Sequence, residues 1–132
     1  MRLLLDTHCW LWYLLSPPKL NQVSRQLLQD PEQEIYLSAA SVWEIVIKYD
    51  LGQLELPLAP TEYIPKRLEA LGHKSLPISQ EHVLHIEKLP LHRKDPFDRV
   101  LIAQAQVEGL QLVTADEILK RYDVSMIWAR AG

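Results

Sequence analysis

At 132 residues, with 48% hydrophobic content and only 4 glycines, the chain is sized for one compact domain and not for a disordered or low-complexity protein. Its single cysteine, Cys9, excludes an internal disulfide and a cysteine-built zinc site, and fits a reducing compartment. The formal net charge of -3 speaks against a basic nucleic-acid-binding surface, but four acids discussed below supply -4 of it, so charge alone does not decide the partner.

Arg2–Asp6 reads as a buried first strand built on Leu3-Leu4-Leu5. Thr7–Leu15 is suited to a helix, ended by Ser16-Pro17-Pro18. Asp6, His8 and the proline pair break the apolar N-terminal stretch, so neither a secretory core nor a membrane span is expected, and the protein reads as soluble and cytoplasmic. Trp10, Trp12, Tyr13 and Leu14 spread around this helix, some for the core and the remainder for a dimer surface. Asn21–Gln29 is a short amphipathic helix, followed by a second strand at Glu34–Leu37.

The spacing predicts a helix over Ala39–Asp50, capped by Ser38 and stopped at Gly52. Leu54–Pro60, with two prolines, is a connection. Thr61–Leu71 is helical and closes at Gly72. Lys74–Ile78 is a strand candidate although Pro77 lies inside it. Ser79 caps the next helix, whose His82 and His85 read as a solvated face because zinc-ligand spacings are missing. Asp95-Pro96 starts a helix, with Asp as N-cap and Pro at the first helical position, and Gly109 ends it. Leu110–Thr114 is a buried strand, Glu117–Tyr122 a short helix and Ser125–Ala129 a final strand. Strands alternating with helices predict an α/β fold with a mainly parallel sheet, one domain over residues 1–132.

Four acids stand where apolar runs stop: Asp6, Glu44, Asp98 and Asp116. Carboxylates at strand ends and helix starts can converge on one cleft of an α/β sheet. A bare cluster would repel itself, and hard oxygen ligands select magnesium or manganese as the remedy. Each acid also has a plain structural role open to it. Asp6 and Asp116 can cap the helices that follow them, and Asp98 can complement a helix dipole. Glu44 can serve a Ser41-x-x-Glu44 capping box, or an ion pair with Lys48 if the helix starts earlier. Capping explains Asp95 completely, which places it behind the site, and Thr114 offers a hydroxyl beside Asp116. No glycine-rich phosphate loop, nucleophile elbow or dinucleotide fingerprint is present.

Four strings in order carry a resemblance. They are Leu4-Leu5-Asp6-Thr7-His8; Ser41-Val42-Trp43-Glu44-Ile45-Val46-Ile47-Lys48; Asp95-Pro96-Phe97-Asp98-Arg99; and Leu112-Val113-Thr114-Ala115-Asp116. Together they resemble the PIN-domain ribonucleases, specifically the VapC toxins of bacterial toxin–antitoxin pairs. The resemblance implies a three-layer α/β/α domain in which Asp6, Glu44, Asp98 and Asp116 hold Mg2+ or Mn2+, with Thr114 accompanying the last acid. It implies cleavage of RNA, often tRNA or rRNA, inhibition by a cognate antitoxin and assembly as a homodimer. Arg99 and Lys48 are the candidate phosphate contacts. Two rivals remain: an aspartyl-phosphate enzyme, and a non-catalytic module whose acidic cleft receives a basic partner segment. A dehalogenase-like phosphatase would want an acid two residues after the first, where this chain has His8.

Overall fold

The computed structural model describes residues 1–132. Its strands are β1 (Arg2–Leu5), β2 (Glu34–Ser38), β3 (Lys74–Leu76), β4 (Gln111–Thr114) and β5 (Met126–Trp128). Its helices are α1 (Thr7–Leu15), α2 (Gln22–Gln29), α3 (Ala39–Asp50), α4 (Pro60–Leu71), α5 (Gln80–His85) and α6 (Pro96–Glu108). Single 3-10 turns occur at Pro17–Lys19 and Ile86–Lys88, and a longer one at Glu117–Arg121.

The five strands form one sheet in the order β3-β2-β1-β4-β5, and all four pairings are parallel. Side chains alternate across a strand, so a parallel sheet covered on both faces reads as a continuous apolar run. The run in β1 divides accordingly. Leu3 and Leu5 join Trp10, Leu28, Ile45 and Ile64 on one face. Leu4 joins Leu101, Ile102, Leu112 and Leu119 on the other. Each of these fully buried leucines is worth roughly 1.5–3 kcal/mol relative to exposure. Helices α1 to α4 thus build one layer and α6 the other, giving the three-layer α/β/α arrangement that the resemblance implied.

Element boundaries depart from expectation where backbone chemistry intervenes. Asp6 leaves β1 to cap α1, accepting the His8 N–H at 3.2 Å. The third strand stops at Leu76, ahead of Pro77, which has no N–H for a ladder. The expected helix at 117–122 is a 3-10 segment ending at Arg121. Ser38 caps α3 by accepting the Ala40 N–H at 3.0 Å, so the helix starts before Ser41 and the capping-box role proposed for Glu44 falls away. His82 is not on a solvated face: it is buried, and its Nδ1 accepts the Ser79 N–H at 3.0 Å.

The chain runs from β1 outward through β2 to β3, then returns to the opposite side of β1 for β4 and β5. The carboxyl ends of β1 and β4 therefore flank the switch point, where open parallel sheets offer a crevice. The backbone N–H of Asp6 donates to the Val113 carbonyl at 2.9 Å, fixing the exit of β1 against β4.

Candidate functional site

Asp6 and Asp116 leave the two strands at this switch point. Asp6 is 4% exposed, and its Oδ2 accepts from the Thr114 hydroxyl at 2.8 Å. Thr114 Oγ1 in turn accepts the Asp116 N–H at 3.1 Å, so one buried hydroxyl sets both acids. Asp116 also caps the 3-10 segment, its Oδ1 accepting from Ile118 N–H at 3.0 Å. Beside them lies a cleft of about 510 Å3 lined by Asp6, His8, Trp12, Asp116, Glu117 and Arg130.

Helices α3 and α6, which touch each other, bring the remaining acids from the neighbouring side. Glu44 lies in the second turn of α3 and is 6% exposed, paired with Lys48 Nζ at 3.1 Å. Asp98 lies in the first turn of α6, which Asp95 caps by accepting the N–H groups of Phe97 and Asp98 at 2.9 and 3.3 Å. The helix N-terminus favours an anion there, but burial and the charges of Asp6, Asp95 and Glu44 push the Asp98 carboxyl up to about 7. Burial raises Asp6 as well, against the Thr114 hydrogen bond, with Glu44 adding to the rise. Asp6, Glu44 and Asp98 therefore share one electrostatic neighbourhood. Asp116 joins it through Arg93, whose guanidinium contacts both Asp98 Oδ2, at 3.5 Å, and Asp116 Oδ2.

Lys48 faces Glu44. Arg99 turns away from the acids, its Nη2 donating to the carbonyls of Ile86 and Leu89 at 3.3 and 3.4 Å. Thr114 and Asp95 serve as hydrogen-bond supports for the acids that follow or face them.

The family model of the PIN domain matches residues 3–125. The chain belongs to the PIN domain family. A curated relative, Ribonuclease VapC16 of Mycobacterium tuberculosis, is 40% identical over 62 residues, which is 47% of this chain and 44% of that protein's length. The match thus spans less than half of the relative. Among solved structures, the PIN domain is similar to VapBC2 from Rickettsia felis bound to a promoter DNA fragment, with a TM-score of 0.75 and 15% identity over 98% of this chain and 99% of that one. It is also similar to DNA-bound VapBC from Salmonella typhimurium (TM-score 0.66, 15% identity, 96% and 97% of the two chains). A third likeness is to FitAcB from Neisseria gonorrhoeae (TM-score 0.61, 22% identity, 95% and 96%). At these identities the likeness is one of fold.

Lys48 and Arg93 already pair with Glu44, Asp98 and Asp116, yet the donor set of this PIN domain, carboxylate oxygens that repel one another, suits a hard divalent cation. They do not form a closed cage, since no three acidic or histidine side chains converge as a ligand set. Arg93 stands on the Asp98–Asp116 side instead. Arg93 sits in an irregular stretch, where periodicity carries no signal. A usable signal was the basic triplet His92-Arg93-Lys94 placed directly before the Asp95-Pro96 helix start, where the dipole disfavours cations.

Proposed function

We propose that this protein is a divalent-cation-dependent endoribonuclease and the toxin of a toxin–antitoxin pair. The observation that carries the reading is a PIN domain in which buried Asp6 and Glu44 and half-buried Asp98 share one electrostatic neighbourhood beside the sheet's switch point, where burial and the neighbouring acids raise the Asp98 carboxyl to about 7. Asp6, Glu44, Asp98 and Asp116 would hold Mg2+ or Mn2+, with Asp6 and Asp98 the primary ligands. Such an ion supplies charge compensation and acidifies water near the phosphate. Thr114 keeps Asp6 oriented through its 2.8 Å hydrogen bond, and Asp95 fixes the turn that carries Asp98. Attack of water on phosphorus, with the bond to the 3′ oxygen breaking, leaves 5′-phosphate and 3′-hydroxyl ends.

The proposed substrate is RNA, with tRNA or rRNA as the class to try first. Arg130 lines the cleft and stacks over the Trp12 ring at 5.6 Å, which makes it a better placed phosphate contact than Arg99. The proposed partners are a cognate antitoxin and a second copy of the chain. Exposed apolar side chains, among them Trp43 at 60% and Leu84 at 62%, support the partner reading. No helix is long and apolar enough to cross a membrane.

Incubation of purified protein with total tRNA and rRNA, with Mg2+, with Mn2+ and with chelator, tests the reading. The Asp6→Asn/Asp98→Asn variant, purified in parallel, controls for contaminating nuclease. Cutting is expected only with the metal and only by the wild type. Equal cutting by the variant would overturn the site assignment.

One observation favours a second reading, a cleft that receives a basic partner segment without hydrolysis: a guanidinium already fits between Asp98 and Asp116. A folded wild type that binds an Arg-rich peptide through these acids and cuts no RNA would support it.

A further inference from the structure

Among the ion pairs of the chain, Arg93 alone joins two of the four acids. Its backbone is pinned on both sides. The N–H groups of His92 and Arg93 donate to the Tyr122 hydroxyl at 3.2 and 2.9 Å, and Tyr122 is 4% exposed. The His92 ring meets the Tyr122 ring edge-on at 5.0 Å. Two residues further on, Asp95 caps α6. The main chain thus delivers the guanidinium to one place, while the side chain itself, 26% exposed, keeps an open path to solvent.

The guanidinium is held unevenly. Nη2 donates to Asp116 Oδ2, whereas Nε is buried, makes no hydrogen bond and meets Asp98 only as a charge at 3.5 Å. The oxygen it takes from Asp116 is the one with no backbone hydrogen bond, since Oδ1 accepts the Ile118 N–H. A divalent ion on the same carboxylates would compete for those oxygens and face a like charge.

We propose that Arg93 is the internal counter-ion of this site, and that it must leave Asp98 and Asp116 before a divalent cation can be held there, so that Arg93 sets the cation affinity. The proposal rests on the reading that these acids take a divalent ion.

Isothermal titration of the full chain with MnCl2 compares wild type, Arg93→Gln and Arg93→Lys. Removing a partly exposed counter-charge is expected to tighten Mn2+ binding by roughly five- to tenfold in Arg93→Gln, with Arg93→Lys in between. A Mg2+ titration of the wild type, followed by the arginine Nε–H signal of Arg93, is expected to move that signal as the ion enters. Circular dichroism checks that each variant is folded, and Arg93→Lys keeps the test usable if Arg93→Gln is not. Equal or weaker Mn2+ binding by Arg93→Gln, or an Arg93 signal that Mg2+ leaves unmoved, overturns the counter-ion role while leaving the metal reading intact. No binding by any of the three proteins overturns both.

Discussion

Asp98 shows most directly how the site opposes the stability of the fold. Its ionised carboxylate faces burial and the charges of Asp6, Asp95 and Glu44, with Arg93 opposing them. With the folded value at about 7 and an ordinary value of 3.8, the native state binds more protons than the unfolded chain between those pH values. Stability from this group therefore falls as pH rises through that window, and the full penalty stands above pH 7. Replacing the acid by its neutral isostere removes the penalty but also one partner of Arg93. The expected outcome is that Asp98→Asn, in chelator at pH 8, unfolds in urea with roughly 1–2 kcal/mol more stability than the wild type. The difference should vanish near pH 4, and a variant no more stable at pH 8 would refute the electrostatic account. Asp6 was legible as a candidate because it stands where an apolar run stops. Glu44 was legible because it stands among Val42, Trp43, Ile45, Val46 and Ile47 and is indeed buried. Arg93 was only faintly marked, by the basic triplet before a helix start, because the Tyr122 hydroxyl that holds its backbone and the Asp116 carboxylate that holds its guanidinium lie 29 and 23 residues away.

At the scale of elements, helix α6 is the part whose local chemistry is most completely written in sequence. Asp95 accepts two N–H groups, Pro96 occupies the first helical position, and Gly109 adopts φ 67 at the end, where an L side chain would be strained. The elements whose extent or type differs from expectation are short and depend on distant partners. Strand β3 exists through pairing with β2, and the 117–121 segment stays 3-10 while Leu119 and Tyr122 pack into the core. The cap at Asp95 also fixes the turn from which Asp98 projects. Asp95→Ala is expected to lose about 1 kcal/mol of stability and to reduce RNA cleavage, whereas Asp95→Asn should recover most of both. Urea unfolding and cleavage rates check this together. If Asn fails as badly as Ala in cleavage while restoring stability, the Asp95 carboxylate charge acts on the site itself and is not only a cap.

Taken as a whole molecule, the protein places its two buried layers and its acidic crevice under one topological rule. A parallel sheet covered on both faces needs its apolar runs inside, and the reversal of strand order beside β1 opens the edge at which Asp6, Thr114 and Asp116 meet. Fold class was therefore readable from alternating strand and helix signals, while the pairing of Arg93 with Asp98 and Asp116 had to await the three-dimensional arrangement. On the proposed reading, in which these acids take a divalent ion, cation binding is linked to global stability. A ligand that binds only the folded state at about 100 times its dissociation constant adds roughly 2.7 kcal/mol. For a chain of this size that corresponds to a rise of roughly 5–10 °C in the melting midpoint. Since the ion must displace the proton that Asp98 holds up to about 7, the rise should be larger at pH 8 than at pH 6. Differential scanning calorimetry with and without Mn2+, on the wild type and on Asp6→Asn/Asp98→Asn, measures this directly. The wild type should show the pH-dependent rise and the double variant none. An equal rise in the variant would mean that Mn2+ binds elsewhere on the surface, and the acidic crevice would lose its claim as the cation site.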